Sequence, residues 1–159
     1  MALFIKFDGI EGESQDKDHK CWTDLQSFSW GVSKAGEGAT GQTRRRGIVT
    51  IHDISCSKEV DKSTPKLCEA VLLGKVFPKV ELHDTATYGE ARATFMKFEL
   101  KNVAVTNQAM SAAGSGDAVP VESFSLNFEE IKQTYVQYDS KGKKVGNVEM
   151  TWKVEEAVK

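Results

Sequence analysis

The chain has 159 residues, the size of a single domain, and we expect one domain over residues 1–159. Its 21 lysines and arginines nearly balance 23 aspartates and glutamates, and the net charge of −2 argues against a general nucleic-acid-binding protein, which normally has a basic excess. Hydrophobic residues at 40% and charged residues at 28% exclude a disordered chain, and every apolar stretch is too short for a membrane helix, so no membrane insertion is expected.

The first residues and the cysteines indicate where the protein is made. The sequence begins without the basic segment, the apolar segment and the small-residue cleavage site of a secretory signal. Cys21, Cys56 and Cys68 are odd in number and contain no Cys-x-x-Cys pair, which argues against a disulfide framework. We therefore expect synthesis in the cytoplasm with reduced thiols, and no export by the general secretory route.

An alternation of apolar and polar residues with a period of two dominates the chain and predicts β-strands. The alternating runs contain β-branched or aromatic residues and end at Gly, Asp, Asn or Ser. In chain order they are 3–8, 27–32, 48–54, 76–84, 91–105, 119–128, 132–138 and 147–154. About eight or nine antiparallel strands at this spacing predict an all-β-dominated fold, a β-barrel or a β-sandwich.

One segment, residues 62–74, predicts a short α-helix packed on the strands. Thr64 suits the N-cap, Pro65 the first helical position, and Gly74 a left-handed end. The apolar residues that share one face at helical spacing are Leu67, Cys68, Val71 and Leu72.

A long loop, residues 33–46, separates two of the predicted strands and is expected to protrude. Its Gly36, Gly38 and Gly41 match the pattern G-x-G-x-x-G letter for letter. A dinucleotide site needs this pattern to open a helix, whereas here a β-alternating run follows, so a protruding loop is the better interpretation. No cofactor is predicted. A second small-residue loop covers residues 111–117.

Arg44, Arg45 and Arg46 end the long loop and allow two interpretations. They could contact phosphates while aromatic residues such as Trp22 and Trp30 stack on bases, as in single-strand-binding barrels. However, the aromatics near residue 28 alternate with serines as core residues do. We therefore favour contacts with carboxylates on another protein surface, and keep as the alternative a monomeric barrel that binds single-stranded nucleic acid or a small ligand.

The sequence contains no arrangement typical of an enzyme or a metal site. His19, His52 and His83 do not have metal-ligand spacing, and no serine or cysteine lies in a nucleophile motif. We predict a protein without catalytic residues, metal ligands or cofactors.

Small neutral residues line one side of two predicted strands. Ser27 and Ser29 alternate with apolar residues in one, and Ser123, Ser125 and Asn127 do so in the other. One interpretation is an ordinary wetted face of an antiparallel sheet. The other is a surface that must contact many different molecules without preference for charge. The pattern does not distinguish them.

Several segments resemble the haemolysin-coregulated protein family, Hcp. They are residues 4–14, 16–19, 28–33, 61–67 and 121–128. The resemblance runs in order over nearly the whole chain, from about Phe4 to Trp152, and it is more specific than any single motif. The resemblance implies a β-barrel with one packed helix that forms hexameric rings, and rings that stack into the hollow inner tube of the type VI secretion system.

The resemblance also implies partners and site residues. A contractile sheath surrounds the tube, a valine-glycine repeat spike protein caps it, and effectors are carried and stabilised in the lumen. The protein would then leave the cytoplasm through this system without a signal peptide. Ser27 and Ser29 would contact cargo in the lumen, and the 36–46 loop, with its Arg44–Arg46 run in place of further glycines, would reach an adjacent subunit.

Overall fold

The computed structural model describes residues 1–34 and 48–154, which form eleven strands and one helix. The elements are β1 (Ala2–Phe7), β2 (Thr23–Leu25), β3 (Ser27–Ser29), β4 (Val32–Lys34), β5 (Val49–Ile51), β6 (Ile54–Glu59), α1 (Thr64–Leu73), β7 (Val76–Tyr88), β8 (Ala91–Ser111), β9 (Val121–Asn127), β10 (Glu130–Tyr138) and β11 (Lys144–Lys153). In the described ranges the helix is too short and too polar to cross a membrane.

Strand β8 is the longest element, with 21 residues, and it organises the sheet. One of its edges pairs with β7, and the other pairs first with β10 and then with β9. The chain bends at Asn102, which has a φ of 51°, and the register shifts between Val105 and Asn107. A bulge at this place increases bending, so the two halves of β8 can belong to differently directed walls.

The ladders between neighbouring strands are all antiparallel, in the order β2-β1-β7-β8-β9-β6-β3, and β11 pairs with β10. The two ends of this order, β2 and β3, are one stretch of chain interrupted by Gln26 alone. The Gln26 N–H donates to the Ser57 carbonyl at 2.8 Å, which joins this stretch to β6. The chain itself thus completes a barrel-like body, and the predicted all-β fold with one short helix is confirmed.

Large apolar side chains from both walls fill the interior. Phe7 packs against Phe77 and Phe124 with ring centroids 5.3 and 6.0 Å apart. The fully buried side chains around them include Ile5, Ile54, Leu67, Leu82, Leu100 and Leu126. Leu67 comes from α1, and the others come from alternating positions of five strands, which is why the period of two predicted the strands.

The number of strands is larger than predicted because two runs are interrupted. The 27–32 run ends at Ser29 and resumes as β4 at Val32, and the 48–54 run is broken between Ile51 and Ile54. Both breaks occur at one place, where the His52 N–H donates to the Gly31 carbonyl at 3.2 Å. Strand β2 was missed altogether, since three residues are too few for an alternation to be recognised.

The predicted helix is confirmed with two corrections. Its N-cap is Ser63 rather than Thr64, and Gly74 ends it with a φ of 63° as expected. Leu72 was predicted to face the core, but it is 80% exposed. The buried side follows Thr64, Leu67 and Ala70, and a residue five positions after Leu67 points about 140° away around the helix.

Candidate functional site

Six serines of β3, β6 and β9 share one outer face of the sheet, which we call the serine face. They are Ser27, Ser29, Ser55, Ser57, Ser123 and Ser125. The register places them in two rows across the three strands, with Ser27 opposite Ser57 and Ser57 opposite Ser123 in the first. The second row joins the remaining three serines in the same way. Four of the six are exposed and two are half-buried.

The serine face exists because the strands alternate between a buried and an exposed side. Phe28, Cys56 and Phe124 lie opposite one another on the inward side, between the two serine rows. Cys56 and Phe124 are buried, and burial raises the pKa of the Cys56 thiol to about 12, so this thiol stays protonated. The serines therefore follow from a strict period of two on three neighbouring strands.

The two rows continue onto the C-terminal half of β8. Ala109 lies opposite Ser123, and Asn107 lies opposite Ser125. The face thus spans four strands in the order β3-β6-β9-β8, and the side chains in its two rows are small and uncharged. Hydroxyl groups both donate and accept hydrogen bonds, so the surface suits polar partners of many kinds.

Hydrogen bonds hold the polar groups of this region in place. The Ser27 and Ser57 hydroxyls lie 2.6 Å apart. At the end of the face, the Asp53 carboxylate accepts from Asn127 Nδ2 and Thr106 Oγ1, each at 3.0 Å. The negative charge of Asp53 is thus stabilised by hydrogen bonds from two neutral side chains.

The structure places the predicted cargo residues Ser27 and Ser29 together on this face, with four further serines. Their role stays a prediction. Ser55 and Ser57 were not singled out, because the predicted strand ended at residue 54. The available signal was that the alternation of polar and apolar residues continues past residue 54, because the apolar Cys56 lies between Ser55 and Ser57.

The predicted inter-subunit residues Gly36, Gly38, Gly41, Arg44, Arg45 and Arg46 lie outside the described residues. The segments on either side of them are β4 and β5, which pair in antiparallel fashion from Val32 opposite Ile51 to Lys34 opposite Val49.

Two of the aromatic residues considered for base stacking, Phe28 and Trp30, are half-buried against the core. Phe28 and Trp30 pack edge-on against Phe98, with centroids 5.4 and 6.1 Å away. The Trp30 indole donates to the His52 carbonyl at 2.9 Å. These rings therefore do not present the exposed platform that single-stranded nucleic acid needs.

Two histidines that are distant in sequence lie together beneath the 11–22 loop. His19 Nε2 lies 2.9 Å from His83 Nδ1, and His19 Nδ1 lies 2.8 Å from Asp16, which also accepts from Arg92. Burial, with the nearby charges of His19 and Lys97, lowers the pKa of His83 to about 4. The pKa of Asp16 is lowered chiefly by its hydrogen bond from His19.

This chain of polar groups fastens a loop to the sheet. Phe4 stacks on His19 with centroids 4.3 Å apart, and Trp22 contacts His83 at 4.6 Å. In the part of the chain that the structure describes, no serine or cysteine hydrogen-bonds to either ring, and no group of His, Cys, Asp and Glu is arranged to hold a metal ion.

A buried ion pair lies behind the serine face and was missed from the sequence. Lys58 and Glu122 are fully buried and bonded to each other across β6 and β9. Glu122 also accepts from Thr64 Oγ1 at 2.6 Å and from Gln108 Nε2 at 2.7 Å, and Lys58 donates to Asp61 at 2.8 Å. Buried charges need such partners, and these ones connect the start of α1 to three strands. Charged residues at inward positions of two strands were the available signal.

Comparison with known proteins gives one consistent result. Residues 4–135 match the family model described as "Type VI secretion system effector, Hcp". The curated Protein hcp1 of Pseudomonas aeruginosa is 32% identical over 159 residues, covering 99% of this chain and 98% of that protein.

Solved structures agree with the sequence relatives. A structure described as a type six secretion system protein has a TM-score of 0.89 and 27% identity, covering 99% of this chain and 98% of its own. A type VI secretion system effector from Yersinia pestis has a TM-score of 0.74 and 27% identity, with coverage of 96% and 99%.

Proposed function

Because this chain belongs to the Hcp family of type VI secretion system proteins, we propose that its copies form hexameric rings that stack into the hollow inner tube of that system. The observation that carries this proposal is the serine face, a four-stranded surface of small neutral residues on a protein otherwise rich in charge. We place this face on the inside of the ring, in contact with cargo.

The width of the serine face sets the bore that a ring of six copies would have. Strands lie about 4.8 Å apart, so four of them cover about 19 Å, and six such faces side by side would enclose a bore of about 37 Å. A folded domain of 100 residues has a radius of gyration of about 13 Å and would fit such a bore. A lumen of this size admits small folded effectors or unfolded segments of larger ones.

The sheet is open at both of its lateral edges, as side-by-side assembly requires. In the part of the chain that the structure describes, β3 pairs with β6 and with no other strand. On the other side, β7 begins at Val76 opposite Ala104, so within the same residues the rest of β8 is paired with β9 alone. Unpaired strand edges attract further strands unless they are covered. A ring of identical copies would bring one edge of each copy to the opposite edge of the next.

The chemistry of the serine face supports transport of varied cargo. Ser27 and Ser29 offer hydroxyls at the first strand of the face and have no fixed charge that would hold a cationic or anionic protein. We propose that they contact effectors and help to stabilise them before export. The protein would leave the cytoplasm with the tube.

The opposite wall has a different character, which supports an outward position. Its strands carry surface ion pairs, such as Lys79 with Glu81 at 2.7 Å and Lys132 with Glu149 at 2.9 Å. We propose that this wall faces the contractile sheath, that a valine-glycine repeat spike protein caps the tube, and that the 36–46 loop with its three arginines reaches an adjacent ring.

Native mass spectrometry and negative-stain microscopy of the purified protein test the proposal. We expect a mass six times that of one chain and annular particles with a central bore. A protein that stays monomeric at micromolar concentration would contradict it. Salt-dependent binding of such a monomer to a labelled oligonucleotide would favour the single-stranded nucleic acid alternative instead.

A further inference from the structure

Two apolar residues at the end of α1 are left without cover in a single copy. Leu72 is 80% exposed and Leu73 is 73% exposed, and Val76, just beyond the helix, is 55% exposed. We call Leu72 and Leu73 the helix knob. Contiguous exposed apolar groups of this kind mark contact sites on soluble proteins.

A groove with apolar lining lies on another part of the molecule, between residues of β4 and β5 on one side and residues of β10 and β11 on the other. We call it the fork groove. It is lined by Trp30, Val32, Val49, Ile51, Met150 and Trp152, among others, and has a volume of about 240 Å³. This is larger than the roughly 150 Å³ apolar cavity that takes up a benzene ring, so it has room for aliphatic side chains.

The helix knob and the fork groove lie at opposite lateral edges of the sheet that carries the serine face. That sheet runs β8-β9-β6-β3. Helix α1 packs on β8, and the chain then turns into β7 at Val76, opposite Ala104. The fork groove is formed by β4 and β5, which extend the β3–β6 pair.

Both features also lie at a similar height along the strands. Val76 is opposite Ala104 of β8, which is opposite Asn127 of β9. Ile54 is opposite Leu126, so Ile51 in the groove lining lies about two residues, roughly 7 Å, beyond the level of Val76. A neighbouring copy can therefore meet the groove with a displacement of this order along the strand direction. Contacts between different patches close into a ring when the displacement along the axis vanishes, and otherwise form an open helix.

The two features further share one side of the sheet. Gln108 and Glu122, which hydrogen-bond to each other and connect α1 to the sheet, lie on the inward side, away from the serines. Trp30 and Val32 in the groove continue the inward alternation of Phe28. A contact between the knob of one copy and the groove of the next therefore leaves the serine face open.

We propose that the helix knob of each copy seats in the fork groove of the next copy and that this contact closes the ring. The inference rests on the proposed function, since it names the partner surfaces of the ring. It assigns Leu72 and Leu73 to the interface between neighbouring copies, with the groove residues as their receptor.

Two single-sided variants test this contact. Leu72→Asp with Leu73→Asp removes the knob, and Val32→Asp with Val49→Asp removes the groove. Val32 is 57% and Val49 is 46% exposed, so all four changes are at positions a single copy can tolerate. Each variant should need at least tenfold more protein to form rings, by native mass spectrometry. Val145→Asp, at a 62% exposed position outside the groove lining, is the matched control and should form rings as the unmodified protein does.

Mixing the two variants gives the sharpest result. One interface of the mixture is intact, namely the knob of the groove variant against the groove of the knob variant, so 1:1 pairs should form that cannot extend. Normal rings from either variant alone would overturn the inference while the proposed function stands. An unmodified protein that forms no rings would overturn the proposed function itself.

A crosslinking experiment covers the case in which charged variants fail to fold. Leu73→Cys combined with Val49→Cys, in a chain with Cys21→Ser to remove the exposed native thiol, should give an oxidised ladder of up to six chains on a denaturing gel. Rings that form without such a ladder would overturn the inference.

Discussion

The hydrogen bond between His19 and His83 has room for a single proton, which limits how much charge the pair can hold. Asp16 accepts from His19 Nδ1, so the remaining His19 nitrogen and His83 Nδ1 share one hydrogen between them at 2.9 Å. A second proton would place two N–H donors against each other. The two rings therefore cannot both be cationic while this hydrogen bond holds the 11–22 loop to the sheet.

We expect the protein to lose stability in mild acid because of His83. The folded protein holds the pKa of His83 at about 4, below the value of about 6.5 in an unfolded chain. As the pH falls through this interval the unfolded chain binds more protons than the folded one, so the free energy of unfolding decreases, by about 1–3 kcal/mol at pH 4. Urea unfolding between pH 7 and pH 4, at fixed protein concentration, measures the change.

The variant His83→Asn is the control for this effect. Its side-chain amide keeps a donor for His19 Nε2 and does not titrate. It should show a shallower dependence of unfolding free energy on pH than the unmodified protein. Equal dependence in the two proteins would show that the acid sensitivity arises from other groups, such as the many carboxylates.

Residue-level features show what the sequence could and could not predict. Ser27 and Ser29 were predicted because their alternation with Phe28 is local. The Lys58–Glu122 pair joins residues 64 positions apart, and the His19–His83 pair spans the same separation. Such contacts depend on the register between strands, which a single sequence does not provide.

At the scale of elements, the leucines of α1 lie in two different environments, the core and the surface. Leu67 is fully buried against the barrel, while Leu72 is 80% exposed at the end of the helix. The 62–74 segment was recognised because its Pro65 and Gly74 are local signals. The face that packs could not be recognised as well, because the helix has only ten residues and both of its sides contain leucine.

We expect the two leucines to respond differently to truncation. Leu67→Ala leaves a cavity in a packed interior and should lower the free energy of unfolding by about 2–5 kcal/mol. Leu72→Ala should change the stability of an isolated copy by no more than about 0.5 kcal/mol. Chemical unfolding at concentrations where the copies are separate measures both. A cost for Leu72→Ala as large as that for Leu67→Ala would contradict the packing described above.

A strand could be predicted from the sequence where apolar and polar residues alternate without a break. The runs that became β7, β8 and β10 were recognised, with their ends shifted by a few residues. The two breaks near Gly31 and His52 arise together, because the hydrogen bond between these residues couples strands far apart in the chain. Neither break has a strong local signal of its own.

At the scale of the whole molecule, two walls of different chemistry enclose one core. One wall presents the uncharged serine face, and the other presents paired lysines and glutamates such as Lys132 and Glu149. The pattern of serines left two interpretations open in the sequence. The structure adds that the serines of three strands form one continuous surface with Asn107 and Ala109 of β8, as the proposed contact with varied cargo requires.

We expect a charge on the serine face to impair cargo loading without preventing assembly. Ser29→Arg would place six guanidinium groups around the proposed lumen, where they would repel basic cargo and crowd the bore. Rings should still form, and the amount of effector protein that copurifies with them or is exported from producing cells should fall. Ser140→Arg, in the exposed connection between β10 and β11, is the matched control. Unchanged export in the Ser29→Arg protein would remove this residue from the cargo surface.

The length of β8 would have a mechanical consequence for a subunit of the proposed tube. This strand pairs with β7 and β10 in one wall and with β9 in the other, so both walls hold the same continuous backbone. A thrust applied to either wall is transmitted to the other along covalent bonds as well as through the packed contacts of the core. To shear the walls apart, a force would have to break several ladders of β8 at once.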